Sequence, residues 1–333
     1  MSWHERPWSF VAGRLDAGQL PHALLIGGEQ GVGKRAFADR LAHSLVCERT
    51  TTPDYRPCGG CKQCELVQAG THPDIRIYAP EKSRMIKVDQ VRALSAFAVA
   101  SPQVARRKLI VIDRADQLNI NAANALLKTL EEPSADVVLL LLQETGRPIL
   151  PTLRSRCQAL TIATPGPDEA ARWLSAQLES QGGAVADEDS CRKALAMARF
   201  APRLALDYLA GDYLAMREEA LSLFRRFMKS EVTVGEAAKP FKTLGAEPTL
   251  WLMELWAADL ARLGAGGSAR DEDAAEMLAF LARTNPPWRA HQLLDSIRES
   301  RSALVYNASP ELEAERLLIE WQALMPRRQR RAG

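Results

Sequence analysis

The sequence predicts an α/β domain built around a phosphate loop, a parallel sheet with helices on both faces, followed by an all-helical half. Three observations carry this. Strand and helix signals alternate across the first 163 residues; a glycine-rich loop ending in Gly33-Lys34 stands between a strand and a helix; and strand signals stop at the Pro/Gly segment Thr164–Pro167.

Taken in order, Trp8, Val11, Ala12 and Leu15 have helical spacing, and Ala23–Ile26 is a short apolar run ending in glycines, which reads as a buried strand. Phe37, Leu41 and Leu45 recur at i, i+4, i+8 and predict a helix. Asp74–Tyr78 reads as a strand, and Val91, Leu94 and Ala98 mark another helix. Leu109–Ile112 is a strand ending at Asp113. Asn121–Glu132 is a helix stopped by Pro133, and Val137–Leu142 and Gln158–Ile162 complete the strands. Beyond Pro167 the apolar stripes are helical: Trp173, Leu174 and Leu178; Leu195 and Met197; Leu221, Phe224 and Met228; Leu252, Leu255, Trp256 and Leu260; Leu293, Leu294 and Ile297; Leu317, Leu318 and Trp321. Gly264–Ser268 and Asn285–Pro287 read as loops between helices. The expected division is 1–163, 164–208 and 209–333, in keeping with 333 residues, too many for one ordinary domain.

Composition excludes some functions. With 47% hydrophobic and 25% charged residues, the chain is globular rather than disordered. The formal charge is +2, and four positive charges (Arg327, Arg328, Arg330, Arg331) fall in the last seven residues; the remainder is −2. Any nucleic-acid contact must therefore be local or shared with other chains. The N-terminal residues show no apolar signal region, and the longest aliphatic run, Val137–Leu142, is too short to span a bilayer. The expectation is a soluble cytoplasmic protein with no membrane partner.

Gly28-Glu-Gln-Gly31-Val-Gly33-Lys34-Arg35 is G-x-x-x-x-G-K followed by arginine. Glycines let backbone N–H groups converge on phosphate, the helix N-terminus adds a positive dipole, and Lys34 supplies a point charge. The next position normally carries the Ser or Thr that ligates Mg²⁺; Arg35 cannot. Asp113 is the acidic residue expected near the metal, and the residue after it, commonly a glutamate that activates water, is Arg114, no base at neutral pH. The loop is therefore expected not to support hydrolysis. Two readings of Gly28, Gly31, Gly33, Lys34 and Asp113 stand side by side: a nucleotide site without turnover, or a vestigial loop that only caps its helix.

Cys58-Gly-Gly-Cys61-Lys-Gln-Cys64 holds two overlapping C-x-x-C pairs, and ten residues separate Cys47 from Cys58. Four thiolates suit a tetrahedral structural Zn²⁺ and leave no open position for catalysis; free thiols or redox use are the alternatives. His72 is a substitute ligand on paper, but Thr71-His72-Pro73 reads better as a turn. Ser155-Arg156-Cys157 also has two readings. The guanidinium either reaches a neighbouring subunit's nucleotide or pairs with a carboxylate at a helix end.

Together these residues resemble the bacterial clamp-loader AAA+ family. The matching segments are Pro21–Ile26, the four-cysteine insertion, Ala69–Asp74, Ile86–Arg92, Ala122–Pro133, Ser155–Cys157 and, near the C-terminus, Asn307–Leu318. The resemblance implies an AAA+ domain, a small helical lid and an all-α collar that assembles a hetero-pentameric ring. The implied partners are clamp-loader ATPase subunits, a delta-type subunit, a β sliding clamp and, through the complex, primed DNA. It implies membership of a DNA polymerase III holoenzyme, a nucleotidyltransferase, as a subunit that does not itself hydrolyse ATP. Carried over, Arg156 is an arginine finger acting in trans, and Cys47, Cys58, Cys61 and Cys64 are zinc ligands. The first sensor position falls within Gln143–Thr145. Arg203 stands where ATPase members place a second sensor arginine; it senses phosphate or only covers a helix end. Two rival functions are an active ATPase of the same family and a zinc-containing DNA-binding accessory protein.

Overall fold

The computed structural model describes every residue except 52–53, 82–84, 181–186, 306–307 and 327–333. The basic tail and Asn307 thus lie outside the described residues. The chain forms two compact units, Met1–Gly166 and Pro167–Gly333.

In the first unit, α1 (Glu5–Asp16), β1 (Ala23–Gly28), α2 (Lys34–Val46), α3 (Lys62–Gln68), β2 (Ile75–Tyr78), α4 (Val88–Val99), β3 (Lys108–Ile112), α5 (Ile120–Glu131), β4 (Val137–Glu144), the single turn α6 (Pro151–Arg154) and β5 (Gln158–Thr161) follow one another. The five strands form one sheet in the order β2-β3-β4-β1-β5, and every pairing is parallel. Parallel strands covered on both faces become continuous aliphatic runs. Accordingly all five residues of β3 and the first six of β4 are buried. One face packs Leu94 and Ala98 of α4 and Leu126 and Leu130 of α5 against Leu25, Ile110, Ile112, Leu139 and Leu141. Phe37 and Leu41 of α2 are likewise fully buried.

Several boundaries moved for local reasons. α5 begins at Ile120 because the Asn119 side chain caps it, accepting from the Ala122 N–H at 2.8 Å. β2 begins after Asp74, whose carboxylate binds another loop. Helices α3 and α6 were not anticipated, being short and lacking an apolar stripe long enough to register.

The second unit has no strand among its described residues. It comprises α7 (Pro167–Ser180), α8 (Glu188–Met197), α9 (Pro202–Ala210), α10 (Tyr213–Met228), α11 (Val234–Leu244), α12 (Ala246–Gly264), α13 (Ala275–Thr284), α14 (Trp288–Val305) and α15 (Pro310–Gln322). α9 and α11 were also unforeseen. Phe224 stacks on Trp256 at 4.8 Å and meets Trp321 edge-on at 5.5 Å, three rings from three of the expected helices. Beside them Arg217 is ion-paired with Asp271, which also accepts from the Trp256 indole at 2.7 Å. No helix among the described residues is long and apolar enough to cross a membrane.

Candidate functional site: a phosphate loop with arginines at its metal and water positions

Parallel strands bring their carboxyl ends to one edge of a sheet, where α/β proteins bind ligands. Here that edge gathers the loop after β1, Asp113 after β3, and the end of β4. Gly27 and Gly28 lie in register with Gln143 and Glu144, and the Thr145 N–H donates to the Gly28 carbonyl at 3.0 Å.

Two glycines of the loop are required by geometry. At Gly28 a Cβ would lie 2.7 Å from the Ile162 carbonyl oxygen and 3.0 Å from a Val32 methyl. Gly33 caps α2 with φ +92°, in the left-handed region that side chains avoid. Lys34 Nζ donates to the carbonyls of Gly28 at 2.7 Å and Glu29 at 2.8 Å. Burial pulls its ammonium below the usual lysine range, opposed by the nearby Glu144 and Asp116 carboxylates. Gly31 lies between Gly28 and Gly33, also left-handed at φ +80°, so Gly28, Gly31, Gly33 and Lys34 belong to one loop.

Both anomalous arginines are engaged with the acids of this edge. Arg35 reaches Asp113 at 3.2 Å while also holding Asp39 at 2.8 Å. A guanidinium therefore contacts the carboxylate that a metal would need. Arg114, in a left-handed conformation at φ +68°, pairs with Glu144 at 3.2 Å, and Arg147 meets the same Glu144 oxygen at 3.2 Å. Asp116 lies 3.8 Å from Arg114 and 3.7 Å from Arg147, and accepts from the Glu144 N–H at 3.1 Å. The Asp116 and Glu144 side chains are buried, so removing either arginine would leave a buried acid short of a partner. Sequence reasoning missed Asp116 and Arg147, and reached Glu144 only as one of three positions in the expected sensor stretch. Of the expected sensor stretch, Gln143 turns its amide to the Arg147 carbonyl at 2.7 Å.

Arg156 follows α6 and is about one-third exposed. Its Nη2 pairs with Glu131 at 2.5 Å, and its Nη1 donates to the Thr152 carbonyl at 2.9 Å. In the isolated chain the guanidinium is therefore held at a helix end by a carboxylate. Arg203 is exposed in the first turn of α9, where the helix dipole offers a cation nothing favourable.

The four clustered cysteines converge. Cys47 ends α2, Cys61 caps α3 and Cys64 lies within it. Their sulfurs are all within 4.8 Å of one another, with separations of 3.9 Å (Cys47–Cys61 and Cys58–Cys64), 3.5 Å (Cys61–Cys64) and 3.6 Å (Cys47–Cys64). Four sulfurs about 2.3 Å from a common tetrahedral Zn²⁺ would stand about 3.8 Å apart, so the set fits that ion. The Gly60 N–H is the main influence holding the Cys58 thiol down to about 6, while burial pushes Cys64 up to about 12. Metal binding needs all four sulfurs as thiolates, which couples it to pH.

His72 is no ligand. Its ring lies 2.8 Å from Gln63 Oε1 and accepts from the Asp74 N–H at 3.1 Å. The neighbouring Asp74, fully buried, accepts from the N–H groups of Gln103 at 2.7 Å and of Val104 and Ala105 at 2.8 Å each. Burial opposes its charge, but the donors on Ala105, Gln103 and Val104 outweigh it and hold the carboxyl below its usual range. That stabilisation is complete above the ordinary carboxylate pKa of about 4 and is lost as pH falls through the lower native value. Asp74→Ala is expected to destabilise the sheet unit by about 3 kcal/mol, since three amides lose their acceptor, and urea titration checks this.

Fold and site together define a phosphate-loop α/β protein in which arginines hold the acids of the ligand edge. A family model described as DNA polymerase III, delta subunit, matches residues 3–166. A DNA polymerase III subunit delta' of Pseudomonas aeruginosa is 31% identical over 330 residues, 97% of each chain. That of Escherichia coli is 30% identical over 315 residues, 92% of this chain and 90% of that protein. A gamma/tau subunit of Mycobacterium tuberculosis is 32% identical over 174 residues, 52% of this chain and 30% of that protein. The chain belongs to the family of DNA polymerase III delta-prime subunits.

Proposed function

We propose that this chain is a non-hydrolysing clamp-loader subunit. It would sit in a hetero-pentameric ring with ATPase subunits and a delta-type subunit, help place the β sliding clamp on primed DNA, and act in the cytoplasm. In this reading residues 1–163 are the AAA+ domain, 164–208 a lid and 209–333 the collar that joins the ring. The observation carrying it is the pairing of Arg35 with Asp113 and of Arg114 with Glu144. Any Mg²⁺ at this edge would compete with a guanidinium for Asp113, and Arg114 has no capacity to activate water.

Arg156 is the residue offered to a neighbour: it lies outside the cradle, partly exposed, held by contacts that are easily exchanged. Cys47, Cys58, Cys61 and Cys64 would hold a structural Zn²⁺, which supplies a cross-link and no chemistry. The cradle of Gly28, Gly31, Gly33 and Lys34 would hold nucleotide, if at all, without turnover.

The test is direct. Purified chain incubated with ATP and Mg²⁺ is expected to release no phosphate above background. In reconstituted clamp loader it is expected to be required for clamp loading. Turnover by the isolated chain that Lys34→Ala abolishes would overturn the proposal in favour of an active ATPase.

A further inference from the structure

The four-cysteine insertion and the phosphate loop are joined by a continuous set of contacts. Between Cys47 and Cys58 the chain presents Asp54 and Tyr55. The Asp54 carbonyl accepts from the Trp8 indole at 2.9 Å, and the Tyr55 hydroxyl donates to Asp16 at 2.5 Å. These two contacts grip α1 near its start and at its last residue. The Ser44 hydroxyl donates to the Tyr55 carbonyl at 2.7 Å, tying the same segment to α2.

The turn at Ser2–His4 leads directly into α1. From it, the Trp3 indole donates to the Val32 carbonyl at 2.8 Å, and His4 Nε2 lies 3.0 Å from the same oxygen. His4 also covers Gly33, where a Cβ would come within 3.1 Å of its ring. The rings of His4 and Trp8 both meet Phe37 edge-on, at 5.6 and 5.7 Å.

The Val32 carbonyl and the Gly33 N–H belong to one planar peptide and point in opposite directions. Holding the carbonyl on Trp3 and His4 therefore aims the Gly33 N–H the other way. Convergent N–H groups are what a phosphate loop needs to receive an anion, and a ligand commonly helps to order them.

We propose that the four-cysteine insertion has a second function beyond bracing itself: acting through α1 and the Ser2–His4 turn, it keeps the phosphate loop in its cradle form without nucleotide. The inference rests on the reading of the cysteines as a zinc site. With the thiolates clamped, Asp54 and Tyr55 hold α1, and α1 holds the turn on Val32. Trp8, Tyr55, Trp3 and His4 are positioning residues.

Hydrogen exchange read by mass spectrometry on the full-length chain tests this. Removing zinc with a chelator is expected to raise exchange on the order of tenfold at residues 29–34, with residues 250–260 unchanged as an internal control. Trp8→Phe keeps an aromatic ring against Phe37 and Arg40 but removes the indole donor to Asp54. With zinc retained, it is expected to raise exchange in the loop about fivefold. Trp3→Phe is expected to do the same whether or not zinc is present. Faster exchange at residues 58–68 with none at 29–34 after zinc removal would overturn the coupling. If chelation unfolds the whole sheet unit, the two Phe variants decide, and unchanged loop exchange in both overturns it. Protein that purifies without zinc would instead overturn the underlying metal reading.

Discussion

Arg156→Ala is expected to lower the ATPase rate at the site it serves in reconstituted clamp loader by on the order of 10³ while leaving the chain folded and assembled. The size follows from the chemistry of phosphoryl transfer. Little covalent work falls to the protein, so catalysis is mainly charge stabilisation, and a guanidinium arriving in trans is among its largest contributions. The geometry gives the prediction a sharp internal control. In the free chain Arg156 is held by Glu131 and the Thr152 carbonyl, and both carboxylate and guanidinium are substantially exposed. Exposed pairs contribute little to stability, so releasing the guanidinium toward a neighbour opposes engagement only weakly. If Arg156 instead served only to fasten the end of α5, Glu131→Gln would reproduce the Arg156→Ala loss. The expected result is that Glu131→Gln leaves the rate near that of the unmodified complex. Arg156→Lys should fail to rescue, because an ammonium lacks the planar fork. An unchanged rate in Arg156→Ala, with assembly confirmed, would refute the finger role.

What could be read from the sequence, and what could not, divides by distance along the chain. The strands and long helices announce themselves through residues two to four apart, and β3, β4, α5 and α12 fell close to where periodicity placed them. The glycine-rich loop and the cysteines are local motifs, and their residues do come together. The departures at Arg35 and Arg114 were equally visible, but their partners were not. Arg35 meets Asp113 across 78 positions, and Arg114 meets Glu144 from the end of a strand not adjacent to β1. No pattern along the chain selects Glu144 over other acids; the parallel register does. Asp74 shows the same limit. It stood in a quoted motif, yet its three amide partners lie 29 to 31 residues away. Helix α3 was hidden for another reason: two of its flanking and internal positions are cysteines, and the ligand spacing masks a helix of only seven residues. The contact of Trp3 and His4 with Val32 carries no signal in composition or spacing.

Cys61→Ser is expected to cost the insertion its metal and most of its order. Cys61 is nearly inaccessible and stands at the start of α3, its sulfur 3.5 Å from Cys64 and 3.9 Å from Cys47. A seven-residue helix is far below the length at which helices persist alone in water, so α3 must be held by what it is fastened to. A hydroxyl is a poor substitute for a thiolate, and structural zinc contributes on the order of 10 kcal/mol to sites that are unfolded without it. Here the loss should be smaller, because Gln63 also anchors α3 through the Val104 carbonyl at 3.0 Å and His72 at 2.8 Å. The expected outcome is therefore local rather than global: about one zinc per chain in the unmodified protein and none in the variant, with rapid proteolysis confined to residues 48–70. The helical unit, a separate compact body, should unfold at its usual denaturant concentration. Acidification of the unmodified protein should release the metal as protons compete for the four sulfurs. Elemental analysis finding no zinc in the unmodified protein would refute the site. Full zinc retention by Cys61→Ser would remove Cys61 from the ligand set.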